Sequence, residues 1–210
     1  MSLESVLAAY GARAGEYIDV VGRIDNAAAP DLMLVQRWAH SVEGRVLDVG
    51  CGPGQWTHYL AGLGVDVEGL DPVAEFIESA QATYPDERYR IGRAEALGVG
   101  DGALGGVFAW YSLIHTDPKQ IDAPLDEFAR CIRPRGGLVL GFFTGSELAP
   151  FEHAVTTAYC WPLDLLASKV EAAGFAVTHT ESRADRPGRT LATILATRTV
   201  GSQLVRPLRP

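Results

Sequence analysis

Asp48-Val49-Gly50-Cys51-Gly52-Pro53-Gly54 carries the densest chemical signal in this 210-residue chain. A β-branched run, RVLDV, leads into it and a helical pattern follows. The loop therefore stands at the carboxyl end of a first strand, where open α/β sheets bind ligands. Glycines there let the main chain take positive φ and let a ligand lie against bare backbone. The spacing is GxGxG, with Gln55 where a dinucleotide GxGxxG pattern requires its third glycine. Asp48 precedes the first glycine by two residues; a carboxylate is poorly placed beside a pyrophosphate and well placed to hold an ammonium, directly or through water. Pro53 removes a backbone N–H that a phosphate cradle would use. Asp71 ends a second strand in EGLDP, where a carboxylate suits two ribose hydroxyls; taken alone, it also reads as a helix-capping aspartate. The ligand these features imply is a nucleoside with a cationic amino-acid tail and no phosphate.

VLDVGCGPGQWTHYLAGLGVDVEGLDP resembles motif I and its acidic partner in the class I S-adenosylmethionine-dependent methyltransferases, in the small type 11 branch related to ubiquinone-biosynthesis methyltransferases. The likeness runs from Arg45 to Gly145. It implies S-adenosylmethionine as cofactor, with Gly50, Gly52 and Gly54 along its methionine part and Asp71 at its ribose. Asp48, Cys51, Trp56 and Pro72 join the same cofactor-binding set. GRAEAL (Gly92–Leu97) is similar to the family's GDAEAL, which puts Ala94 and Glu95 at the adenine edge. AWYSLIH (Ala109–His115) matches the end of the fourth strand, beside the transferred methyl, and CIRPRGGLVL resembles the turn into the fifth. Tyr10 and Tyr17 flank ARAGE in a pattern similar to the family's N-terminal YDxxAxxY helix, so Tyr17 is expected near the methionine end. The chain departs from the family at Arg93, where an adenine-contacting aspartate is common, and at Gly105, where an aspartate often precedes the fourth strand.

The activity this resemblance implies is in-line transfer of a methyl group to O, N or C of a small-molecule acceptor. Alignment of the reactants supplies roughly 7–11 kcal/mol in such reactions. A general base adds ~10²–10⁴-fold when the acceptor is a hydroxyl. Three residues are candidates for catalysis. His115 closes the AWYSLIH strand and suits proton removal near neutrality, with a turn-capping structural role as the alternative. His153, in FEHAVTTAYCWP, is expected to face the same pocket or else to pack in a lid. Tyr111 and Trp110 follow the strand into the pocket, where an aromatic face attracts positive charge, or they pack in the core. His40, His58 and His179 read as structural. Arg183, Arg186 and Arg189 read as a solvated surface loop, with reception of an anionic acceptor as the alternative. Two other functions share the topology: an NAD(P)-dependent oxidoreductase, and an S-adenosylmethionine-binding module without turnover.

Short β-branched runs alternate with helical patterns from Arg45 onward, which predicts an α/β fold. The expectation is a Rossmann-like, doubly wound, seven-stranded and mostly parallel sheet with helices on both faces and the last strand antiparallel. Strands are expected at 45–49, 65–70, 89–91, 106–111, 138–143, 175–181 and 191–198, with helices at 55–63, 74–84, 125–132 and 162–173. Gly174 is expected to end the last helix in the left-handed conformation. Residues 1–44 form an N-terminal helical cap, with a linker Gly22–Pro30 and a helix Asp31–His40 capped by Asp31. The core spans 45–143 and the closing elements 162–210, all in a single domain. The stretch Thr144–Trp161 is long and partly irregular; with Phe143, Phe151, Tyr159 and Trp161 it suggests an aromatic acceptor pocket.

The apolar fraction of 47% and charged fraction of 21% are those of a globular chain. A net charge of −8 disfavours a nucleic-acid partner. Of the 18 basic residues only Lys119 and Lys169 are lysines, a bias toward arginine with no functional reading. Three cysteines without metal or disulfide spacing fit a reducing cytoplasm and predict no metal site. No stretch is long enough to span a bilayer, and the N-terminus has no signal-peptide pattern. Composition says nothing about the oligomeric state.

Overall fold

All four residues of β1 (Val46–Val49) and all five of β2 (Val67–Asp71) are buried, as strands covered on both faces must be. The structure is a computed structural model and describes residues 3–200. β1 pairs in parallel with β2 on one side and with β4 (Leu104–Trp110) on the other. β3 (Arg88–Ile91) flanks β2, and β5 (Ile132–Thr144) flanks β4, again in parallel. The order β3-β2-β1-β4-β5 reverses direction between β1 and β4. At that switch point the connections leave on opposite sides and open a crevice at the carboxyl ends.

Side chains alternate across the sheet with period two. Leu47, Val49, Val107 and Ala109 face α6 (Asp122–Cys131) and α7 (Leu163–Ala172), through Leu125, Phe128, Leu166 and Val170. Val46, Phe108 and Val139 face α3 (Ala29–Ala39) and α4 (Gln55–Gly62), through Leu34, Val35, Trp38 and Leu60. α5 (Ala74–Thr83) buries Phe76, Ile77 and Ala80, as its pattern predicts. Gly174 ends α7 with φ +95°. Gly105 opens β4 so close to the preceding chain that a Cβ there would lie 1.8 Å from the Glu43 carbonyl oxygen. No side chain fits at that position, which explains the missing aspartate.

Five expectations need correction. α6 stops at Cys131, and β5 begins at once with Ile132, running to Thr144. α3 starts at Ala29, with Pro30 in its first turn and Ala28 as its cap. Asp31 is therefore inside the helix, buried and paired with Arg183 (2.6 Å). The seven expected strands are joined by two more. Phe143 and Thr144 overrun the end of β4, which pairs with β5 only as far as Gly141. The backbone edge left open there is taken by Cys160 and Trp161 of β7 (Thr157–Trp161), which forms an antiparallel hairpin with β6 (Ala149–Glu152). The stretch expected to be irregular is thus a hairpin standing over the ligand edge. Trp161 is 3% exposed and packs in the core with Leu166 rather than toward a pocket. The other side of β5 pairs antiparallel with β9 (Arg189–Arg198), and β8 (Phe175–Arg186) closes the sheet against β9.

N-terminal to α3, the helices α1 (Leu3–Ala12) and α2 (Ala14–Val21) lay Tyr10 and Tyr17 on Phe76 of α5, with ring centroids 5.7 and 5.2 Å away. The floor of the crevice is aromatic. Phe108 lies within 5.9 Å of Trp38, 5.6 Å of Trp56 and 5.5 Å of Trp110, the last stacked at 5°. Phe108→Ala is expected to cost about 3–5 kcal/mol of stability, measured by urea unfolding. A loss below about 1 kcal/mol would show that this cluster does not hold α3 and α4 on the sheet.

Candidate functional site

The glycine loop is shaped by positive φ at Gly50 (74°), Gly52 (54°) and Gly54 (88°), which side-chain-bearing residues adopt only under strain. Each glycine serves a different need. A Cβ on Gly50 would fall 2.2 Å from the Ser112 Cβ, so the end of β1 touches the chain leaving β4. A Cβ on Gly52 would meet only the Tyr17 ring at 3.9 Å and would project into open space, as a ligand cradle requires. Gly54 faces inward, against the Tyr89 hydroxyl at 2.7 Å and Ala80, and caps α4. It therefore supports the loop from beneath and lines neither cavity, against expectation.

Two carboxyls hold this loop. Asp71 Oδ2 accepts the Gly52 N–H (2.9 Å), and its Oδ1 accepts the Val73 N–H (2.8 Å) ahead of α5. It thus fills the capping role and still lines the cavity, where its remaining lone pairs can meet hydroxyls. Asp48 is 1% exposed and accepts the Thr57 hydroxyl of α4 at 2.7 Å. Burial, augmented by the charge of Asp71, pushes the Asp48 carboxyl up to about 7. Burial likewise raises Asp71 to about 6, against the pull of its two backbone N–H groups. The same site raises the Tyr17 hydroxyl to about 12, chiefly by burial and then by the Asp71 charge. Such a pocket favours a cation.

Two cavities, of about 150 and 370 Å³, meet at Tyr17, Gly50, Gly52, Trp110 and Tyr111, which line both. The smaller extends past Asp71 and Pro72 to Ala94 and Glu95, with His115 and Tyr10 overhead and Arg93 in its wall. The larger runs from Asp48, Cys51 and Trp56 out to Phe143, His153, Asp31, Arg183 and Arg189. Tyr111, where β4 gives way to this crevice, has φ +57°, a conformation that costs energy and gathers at functional sites.

The two histidines differ in their surroundings. His115 Nδ1 lies 2.7 Å from the Thr157 carbonyl oxygen, and Nε2 lies 2.7 Å from the Tyr10 hydroxyl. A carbonyl only accepts, so Nδ1 carries the proton and Nε2 accepts from Tyr10. Burial lowers the pKa of His115 and keeps it neutral. It ties α1 to β7 across the top of the smaller cavity. His153 has a buried Nδ1 with no partner. Burial, then the neighbouring His115, Arg189 and Arg186, push it down to about 4.

Sequence reasoning overlooked several lining residues. Gln55 lines the larger cavity with a buried, unpartnered Oε1, and Ser112 lines the smaller with an unpartnered hydroxyl. Tyr10 emerges as the partner of His115. The basic cluster is no solvated loop: Arg183 grips Asp31, and Arg189 pairs with Asp185 through Nε (2.6 Å) and lies 5.6 Å over the Phe143 ring. The signal was present, because Pro187-Gly188 turns a hairpin and alternation along β8 pairs Arg183 with Leu191.

A family model described as a methyltransferase domain matches residues 46–136. A Synechocystis sp. protein described as an uncharacterised methyltransferase is 32% identical over 142 residues, 63% of this chain and 67% of that one. The chain belongs to the class I S-adenosylmethionine-dependent methyltransferases. Its motifs are those of the small type 11-like branch of that family. An uncharacterised methyltransferase of Mycobacterium bovis is 33% identical over 103 residues, 49% of this chain, and the match covers only 41% of that protein. The methyltransferase fold also matches a structure of Burkholderia thailandensis 1,6-didemethyltoxoflavin-N1-methyltransferase, with a TM-score of 0.78, 20% identity, and coverage of 94% of this chain and 88% of that one. The oxidoreductase alternative is not favoured by these matches.

The residues present fit the family's cofactor, S-adenosylmethionine. The bare Gly52 cradle, the buried carboxyls and the unpartnered Gln55 oxygen together suit a cationic amino acid joined to a nucleoside. Asp48 and Asp71 hold protons in the folded protein that an unfolded chain would already have lost between about pH 4 and 7. Their folded values are raised, so the ligand-free protein loses stability as pH rises through that window. A cation bound beside Asp48 reverses the shift. At pH 7, binding of S-adenosylmethionine is expected to release up to about half a proton, seen as heats that differ between buffers of unlike ionisation enthalpy. Asp48→Asn should remove the difference; identical heats in the native protein would contradict the assignment.

Proposed function

We propose that this chain transfers the methyl group of S-adenosylmethionine to a small-molecule acceptor, acting as one domain in which cap, core, hairpin and closing strands surround a single reaction crevice. The observation that carries the reading is the pair of adjoining cavities, one running from Asp71 to Glu95 and the other from Asp48 to Phe143 and His153, with the glycine loop lining both. It has separate places for a nucleoside and for an acceptor. The Burkholderia structure is described with an acceptor and S-adenosylhomocysteine bound together, which supports a crevice of this shape serving both.

S-adenosylmethionine, when bound, supplies an electrophilic methyl group. The chain's own residues supply alignment and exclude water. Asp71 and Glu95 take the ribose and adenine edge, and Gly50, Gly52 and Asp48 take the amino-acid tail with Gln55. Trp110, Tyr111 and Tyr17 surround the junction of the two cavities, where their faces favour positive charge. His115 is a positioning residue: both ring nitrogens are committed, and it closes α1 over the nucleoside. The three cysteines are free, and no described helix is long and apolar enough to cross a membrane. With the acidic net charge, these features support a small-molecule enzyme of a reducing cytoplasm over a partner of nucleic acid or lipid.

Calorimetry with S-adenosylhomocysteine should show saturable binding, weakened at least about tenfold by Asp71→Ala and lost in Gly52→Val. A tritiated-methyl transfer screen against cell extract should then label a low-molecular-weight product. No heat with either nucleoside would overturn the proposal; binding without any labelled product would favour the module that binds and does not turn over.

A further inference from the structure

The outer half of the larger cavity has a chemistry of its own. Its floor is aromatic, with Tyr111 and Phe143 at 5.3 Å between ring centroids. Phe151 stands edge-on to Phe143 from behind, at 5.2 Å. Ile114 and Leu191 complete the apolar surface. One wall carries cations: Arg189 spreads over the Phe143 ring, and Arg183 stands beside it on the facing strand. Asp31 and Asp185 each hold one of these arginines. His153 resists a proton, chiefly through burial and then through its neighbours His115, Arg189 and Arg186. His153 lines this recess, and its Nδ1 is buried without a partner, a state that is unfavourable until a polar group meets it.

We infer that the acceptor is a planar conjugated anion, its ring set against Tyr111 beside the Arg189-covered Phe143 and its charge received by Arg189 and by His153. The inference rests on the methyltransferase reading and names the acceptor class of that site. Three lines converge on it. A conjugated ring suits a recess walled by Tyr111, Phe143 and the guanidinium of Arg189. The positive field set by Arg186 and Arg189 becomes stronger once a sulfonium is bound. The side chains here are also ill suited to act as a base, because burial makes His153 resist a proton and arginines engage Asp31 and Asp185. An anion needs none: its proton has gone to solvent before binding, and a lone pair is ready for the methyl carbon. Carbon–sulfur cleavage leaves the electron pair on sulfur, and the two opposite charges cancel. Asp185 tempers Arg189, so the anion is held without being fully quenched.

The test uses the full chain saturated with S-adenosylhomocysteine, titrated with 4-nitrophenolate and separately with its uncharged isostere 4-nitrotoluene. The anion is expected to bind at least about tenfold more tightly. Arg189→Met should bring the two within about twofold, Arg189→Lys should keep most of the preference, and His153→Phe should weaken the anion alone. Affinity for S-adenosylhomocysteine, measured in every variant, reports on the fold and the donor site. Equal binding of the two probes, binding of neither, or a preference that survives Arg189→Met would overturn the inference while leaving the methyltransferase reading in place. Failure of S-adenosylhomocysteine itself to bind would remove both.

Discussion

One buried carboxylate organises the reaction crevice. Asp71 ends β2, draws in the amide of Gly52 from the neighbouring loop and receives the amide of Val73 ahead of α5. Two segments 19 residues apart are thereby locked at the sheet's switch point. The loop's other amides, at Gly50 and Cys51, reach the Leu70 carbonyl at 2.7 and 3.1 Å, so the curve of the loop copies the end of β2. A buried carboxyl that accepts two amides and lies near a second carboxyl, Asp48, carries an electrostatic penalty that burial amplifies. The geometry is held by packing beneath it, through Gly54 on Tyr89 and Ala80, and the penalty is relieved when a cation arrives.

From that anchor the division of labour follows the two edges of the crevice. On the β2 side the contacts are polar and set by backbone, which suits a ligand whose shape never changes. On the β4–β5 side they are made by side chains from elements distant in sequence: Phe143 from β5, His153 beyond β6, Arg189 from β9 and Asp31 from α3. Ligand recognition is thus rigid on one side and specified by side chains on the other.

The first side was legible in the sequence and the second largely was not. The strand–loop–helix order, Asp48, Asp71, Ala94 and Glu95 are local patterns whose meaning depends on neighbours within a few residues. Even there, Gly54 was misplaced because spacing cannot tell a glycine facing a ligand from one facing the core. The acceptor side depends on contacts that no local window contains. Arg183 meets Asp31 across 152 residues, and an isolated arginine triplet reads as surface until the β8–β9 hairpin brings it inward. The hairpin of β6 and β7 has a different cause: its docking edge exists only because β5 is longer than β4, a relation between two strands rather than a property of either.

That hairpin is joined to the main sheet through two residue pairs, Phe143 with Cys160 and Thr144 with Trp161, plus a Thr144 hydroxyl to the Trp161 carbonyl. Two further contacts tie it to the chain that follows β4: the Thr157 carbonyl accepts from His115 Nδ1 (2.7 Å), and the Tyr159 N–H donates to the Ile114 carbonyl (2.9 Å). Changes at the tip of the hairpin, residues 153–156, would reshape the crevice wall around His153 while leaving its root and the contacts of Thr157 and Tyr159 in place. The tip of the hairpin is thus the place where side chains can be exchanged at least cost to the pairing of β1 to β5.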